Sequence, residues 1–140
     1  MNFDWLIMEE FKYEKDIKLW IVKASSFPEG VLQSHEKLHR FFPSDGSRRY
    51  FGLSRPSPEG RGKIDYWAGA EQLPADDSDL DRKVVKEGRY VGKKIKDFRK
   101  DVASIGNTFQ EILKRPDIDP EGYCVEWYQD EDVQCMVRVI

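Results

Sequence analysis

The sequence predicts an α+β fold: two β-α-β-β units forming one pseudo-twofold antiparallel sheet, with two helices on one face and a central pocket between them. Three observations predict it. The chain has 140 residues, the length of one domain of modal size. Apolar and aromatic side chains recur with a period of 2 in some segments and near 3.6 in others, the two spacings that separate strands from helices. The order strand, helix, strand, strand then occurs twice, the second time after about half the chain.

Taken in order, residues 1–15 carry Phe3, Trp5, Leu6, Met8, Phe11 and Tyr13 among charges without a clean period, and are expected to be an extension packed on the domain. The domain itself runs from 16 to 140. In residues 16–24, Ile17, Leu19 and Ile21 alternate with Lys18, Trp20 and Val22, which is a strand pattern. Pro28-Glu29-Gly30 forms a turn, and residues 31–42 place Val31, His35, Leu38 and Phe42 on one helical face. A break at Pro43 and Gly46 precedes a second strand over 48–55, a loop containing Pro58, Gly60 and Gly62, and a third strand over 63–71. These elements complete the first half, 16–71.

Residues 72–81, with Pro74 and the run Asp76, Asp77, Asp79 and Asp81, read as an acidic crossing linker. The second half, 82–140, opens with one strand region over 83–94 that bends near Gly88. A helix follows, with Asp101 or Ser104 as its cap, an apolar stripe of Ile105, Phe109, Ile112 and Leu113, and a stop before Pro116. Two strands, 123–128 and 133–140, end the chain around an acidic turn.

Composition narrows the function. The chain is 39% hydrophobic and 13% aromatic, enough to fold, and its net charge of -3 is spread over interspersed charges of both signs. No long-range positive field concentrates nucleic acid, so direct DNA binding is not expected. No apolar run approaches the span of a bilayer and the first ten residues lack a cationic leader, so the expectation is a cytoplasmic protein with no membrane partner. Cys124 and Cys135 match no disulfide framework, zinc or redox motif, and both read as reduced strand thiols. Phosphate loops and hydrolase elbows are missing from the glycine and serine patterns; no cofactor and no metal are expected.

Glu126 carries the most weight, a carboxylate in the middle of the aromatic strand Cys124-Val125-Glu126-Trp127-Tyr128. Parity puts Cys124, Glu126 and Tyr128 on one face; either that set faces water or it faces the groove. In a low-dielectric groove an unpaired carboxylate is costly, which makes it a counter-charge for a cation or an acid/base with a raised pKa. Tyr66 could present its ring and hydroxyl to the same groove, while its neighbour Trp67 points the other way; parity leaves open which of the two lines it. His35 lies on the Leu38 face of the first helix and either lines the groove or packs as a partly buried helix histidine. His39 is one turn further on, but nothing completes a metal set with this pair.

The element order and several strings resemble the GyrI-like family, the effector-binding domain of bacterial multidrug-responsive transcription activators. The strings are Lys63-Ile64-Asp65-Tyr66-Trp67-Ala68-Gly69-Ala70-Glu71, Glu87-Gly88-Arg89-Tyr90-Val91, Tyr123-Cys124-Val125-Glu126-Trp127-Tyr128 and Val133-Gln134-Cys135-Met136-Val137-Arg138-Val139. The resemblance covers roughly residues 16–140. It implies a pocket for lipophilic, often cationic and aromatic, small molecules, with Glu126 as the negative charge and Tyr66 as the stacking ring. It further implies pocket positions at His35 on the first helix and at Ile105 and Phe109 on the second. The short segment ahead of the domain leaves no room for a helix-turn-helix, so a stand-alone member is expected.

The sequence-level expectation is therefore a domain that captures lipophilic, cationic or aromatic small molecules, with Glu126 as counter-charge, Tyr66 or Trp67 as platform, and His35, Ile105 and Phe109 as lining. Two alternatives come from the same family. One is a hydrolase of cyclopropane-bearing or similar reactive compounds with Glu126 as catalytic acid/base; the other is a gyrase-inhibitor-type module whose partner is a protein.

Overall fold

The structure is a computed structural model that describes residues 8–140. Phe3, Trp5 and Leu6 of the expected extension lie outside the described residues. Eight strands and two helices follow in the order β1 (Glu9–Tyr13), β2 (Ile17–Lys23), α1 (Val31–Phe41), β3 (Tyr50–Pro56), β4 (Ile64–Glu71), β5 (Asp81–Val85), β6 (Gly88–Ile95), α2 (Ala103–Ile112), β7 (Cys124–Gln129) and β8 (Asp132–Val139). The strands form one antiparallel sheet in the order β1-β6-β8-β7-β3-β4-β2-β5. The fold is α+β, a sheet curled into a half-barrel with two helices.

Short connections dictate the curl. β5 sits at one edge of the sheet and β6 second from the other edge, yet only Lys86 and Glu87 separate them. Glu14, Lys15 and Asp16 likewise join β1, at the far edge, to β2. Links this short force the two ends of the sheet together, and the Asp16 carboxylate accepts from the Glu87 amide at 2.8 Å across the join. The face that curls inward carries no helix. It buries Ile17, Leu19, Ile21, Phe51, Leu53, Trp67, Val85, Tyr90, Val125 and Met136 as one core, each of the larger side chains worth about 1.5–3 kcal/mol.

Three expectations are corrected by the structure. Residues 9–13 pack on the domain, through Phe11 and Tyr13 against the inner core, but as a regular edge strand paired with β6 rather than a segment without a period. The alternation was present in the sequence but spans only five residues. The single bent strand expected over 83–94 is two strands at opposite ends of the sheet; Gly88, at φ 127°, opens the second of them in a conformation that side chains rarely adopt. Neither Asp101 nor Ser104 caps α2 through its side chain: the Ser104 hydroxyl donates back to the Asp101 carbonyl at 2.6 Å.

The linker is also more than a solvated acidic loop. Asp76 receives the Arg48 guanidinium at 2.6 and 2.9 Å, the Trp20 indole N–H at 2.8 Å and the Leu73 amide at 2.8 Å. These donors hold its carboxyl far below the usual carboxylate range.

The opposite face carries both helices. α1 packs Leu38 against Trp20, Val22, Tyr50, Ala68 and Ala70, and α2 packs Phe109 and Ile112 against Val91, Val133, Cys135 and Val137. Tyr50 and Tyr128, and Gly52 and Glu126, are directly opposed across β3 and β7, so those residues share the face that the helices cover. The two helices flank the middle of the sheet, which stays open between them. Among the described residues no helix is long and apolar enough to cross a membrane.

Candidate functional site

Between the helices lies a cavity of about 950 Å³. Its walls include Val31, His35 and His39 of α1 and Ile105 and Phe109 of α2; its floor is Tyr66, Glu126 and Tyr128 of the central strands. Phe27, Leu32 and Val102 line it as well and are among the exposed apolar side chains of the surface, so they form an apolar mouth. A volume of this size takes a drug-sized molecule.

Gly52 explains why a carboxylate and two phenols can meet on the floor. On β3 it stands opposite Glu126 of β7 on one side and Ala68 of β4 on the other. A Cβ at this position would lie 2.1 Å from the Tyr66 hydroxyl oxygen and 3.1 Å from Glu126 Oε1. The missing side chain is the space through which Tyr66 reaches across β3 toward Glu126.

Glu126 is 6% exposed. Tyr66 donates to its Oε1 at 3.3 Å and the Tyr128 hydroxyl donates to the same oxygen. The two hydroxyls are 3.1 Å apart, and His35 Nε2 is 2.7 Å from the Tyr66 oxygen. Each phenol has a single proton, so when both are given to Glu126 the His35 contact must run from Nε2–H to the Tyr66 oxygen, which fixes the imidazole tautomer. None of the described residues donates to Glu126 Oε2. Among the described residues only His39 Nδ1 is buried without a partner, so Oε2 is accessible to the cavity.

The electrostatics follow from burial. Loss of water raises the Glu126 carboxyl above its ordinary value, and the Tyr128 and Tyr66 hydrogen bonds oppose that rise only in part. Both phenols are pushed well above their ordinary range by burial and by the neighbouring carboxylate. Burial, reinforced by His39, lowers His35 to about 4, so its ring is neutral near pH 7. No Lys, Arg or His among the described residues forms an ion pair with Glu126. Arg48 and Arg49, which also line the cavity, are taken up by Asp76 and Glu71 at 2.6 Å each. The site is thus a buried carboxyl without a counter-ion, framed by Tyr66, Tyr128, His35, Phe27 and Phe98, with an open oxygen and an apolar mouth.

The structure brings Glu126, Tyr66, His35, Ile105 and Phe109 together at this cavity. Trp67 is elsewhere. It is 6% exposed in the inner core on the opposite face, with its edge toward Tyr123, so of the two neighbouring rings it is Tyr66 that faces the cavity. Three further site residues were not singled out from the sequence: Tyr128, Gly52 and Phe27. Parity already set Tyr128 on the Glu126 face. Gly52 leaves no local trace, because its role depends on strands 14 and 74 residues away.

No family model matches the chain, and no curated protein matches it. Solved structures that share its fold include the following two. An integron cassette protein from the mobile metagenome of Vibrio cholerae superposes with a TM-score of 0.68 at 17% identity, over 95% of both chains. An uncharacterized conserved protein from Listeria innocua superposes with a TM-score of 0.53 at 13% identity, over 95% of this chain and 91% of the other.

Proposed function

We propose that this protein is a small-molecule-binding domain of the GyrI-like effector-binding type, which captures lipophilic cationic or aromatic ligands in the cavity between its helices. The observation that carries the reading is Glu126: an ionisable group in an apolar, aromatic cavity with one oxygen held by two phenols and the other presented to the space. A cation seated about 4 Å from that oxygen gains roughly 4 kcal/mol at an effective dielectric of ~20, before its own desolvation is counted. Rings of Tyr66, Tyr128 and Phe27 add cation–π and apolar contact. The duplicated-unit reading is supported by the strand order, which reads the same from either end when β1–β4 exchange places with β5–β8.

The test is binding of tetraphenylphosphonium and of its neutral analogue triphenylphosphine oxide to the wild type and to Glu126→Gln, by calorimetry and thermal shift. The cation should weaken about 30-fold or more in the variant, of the order of a lost charge partner, and the neutral compound by less than about threefold. Equal losses would remove the counter-charge role. No binding of either compound to the wild type would turn the reading toward a protein partner. Consumption of any bound compound that stops in Glu126→Gln while binding persists would establish the hydrolase instead.

A further inference from the structure

A second cluster lies on the inward face of the sheet, remote from the cavity, where β2 and β3 end and β4 and β7 begin. Arg55 and Lys83 converge there on a single acceptor, the Tyr123 hydroxyl, at 3.3 and 3.0 Å. Both cations also lie over the Trp67 ring, at 5.3 and 4.3 Å from its centroid, and over the Tyr123 ring, at 5.0 and 5.2 Å. Lys23 stands at the rim, 5.8 Å from the same Trp67 ring.

The charges do not balance. The one carboxylate in the cluster is Asp65, the cross-strand partner of Arg55, and it pairs with Lys23 at 3.5 Å. Among the described residues, Arg55 and Lys83 form no ion pair with a carboxylate, and each has the Tyr123 oxygen as its sole hydrogen-bond acceptor. A phenol offers lone pairs but no charge. Two half-buried cations, carried by β3 and β5 with β4 and β2 between them in the curled sheet, are therefore held within a small anion's span of each other, with most of their N–H donors unused. Cation–π contact with two rings repays part of the repulsion and fixes the stems in place. Asp65 faces Arg55 across the strands but is engaged by Lys23, and among the described residues no carboxylate lies within ion-pair distance of either cation.

We propose that Arg55 and Lys83, with Tyr123 between them, form a binding site for a phosphate group, either inorganic phosphate or the phosphate of a small monoester. A tetrahedral oxyanion can accept a forked pair of bonds from the guanidinium and a third from the ammonium at once, which a single carboxylate cannot do as completely. Trp67 is buried beneath the cations, so the site recognises the oxyanion and leaves the remainder of an ester outside the core. The site is independent of the cavity, whose floor lies on the other face of the sheet.

The experiment is a titration of the full chain with inorganic phosphate, with sodium chloride and sodium acetate at matched ionic strength, read by thermal shift and by line broadening of the phosphate 31P resonance. Phosphate should raise the midpoint and broaden the line at millimolar concentration, where chloride and acetate do neither. Lys83→Met keeps the aliphatic cover over Trp67 and removes the charge; it should weaken phosphate at least about tenfold. Lys83→Arg should restore binding to within a few-fold. A phosphate effect no larger than that of chloride, an equal effect of acetate, or one unchanged in Lys83→Met would overturn the proposal. Glycerol phosphate then separates the two sources: binding equal to that of inorganic phosphate supports the monoester, and its exclusion supports the free ion.

Discussion

Gly52→Ala tests the reasoning that joins the sheet to the site. The new methyl would stand 2.1 Å from the Tyr66 hydroxyl oxygen and 2.8 Å from Cζ of that ring. Reaching ordinary contact at about 3.4 Å needs a displacement of more than ~1 Å, and the ring is 1% exposed with its hydroxyl engaged by Glu126, Tyr128 and His35. Overpacking of this kind costs about 1–3 kcal/mol, and each hydrogen bond broken adds about 1 kcal/mol. The expected loss is ~3 kcal/mol, measured as the change in urea unfolding free energy with an unchanged m-value. Tyr66→Phe in the alanine background deletes the atom at closest approach, so the double variant should recover part of the loss, and the two changes should couple by more than about 1 kcal/mol. An alanine variant within ~0.5 kcal/mol of the wild type, or additive losses, would refute the close-approach role of Gly52.

Three further outcomes follow from the same geometry. Because burial raises the Glu126 carboxyl above 4.5, its contribution is fully present below that pH and is lost as pH rises through the folded-state value; ligand-free Glu126→Gln should gain stability over the wild type as pH rises above 4.5, and a difference that is the same at acid pH and at pH 8 would contradict the burial argument. His35 has the opposite sign: its pKa falls from 6.5 to about 4, so its contribution is present above 6.5 and lost as the pH drops toward 4. Unfolding curves for His35→Gln should therefore fall less steeply over that window than those of the wild type, and parallel curves would show that the imidazole is not held neutral. Asp76→Asn should cost about 2–4 kcal/mol at pH 7, because it strands an Arg48 side chain that is 11% exposed; a loss below ~1 kcal/mol in urea unfolding would return the segment to the role of a solvated linker.

Much of the site was legible because it depends on short-range geometry. Alternation along residues 63–71 and 123–128 set Tyr66 against Trp67, and Glu126 with Tyr128 against Val125 and Trp127, since successive strand residues point to opposite faces whatever surrounds them. The spacing of His35 with Leu38, and of Ile105 with Phe109, marked helix faces for the same reason. Where a strand was short, as at Glu9–Tyr13, or where two strands met across two residues, as at Lys86 and Glu87, the local pattern was too brief to be told from an extension or a bend.

Local periodicity establishes which side chains travel together, and in this chain it grouped Glu126 with Tyr128 and separated Tyr66 from Trp67. It is silent on which group meets the helices, because a strand has the same period on either face. That decision belongs to long-range pairing. β3 lies between β4 and β7, short links draw the sheet edges together and close one face into a core, and the other face is left to the helices and the cavity. Gly52 and the convergence of Arg55 with Lys83 arise only then, since each requires strands far apart in the chain to be held in register by backbone hydrogen bonds.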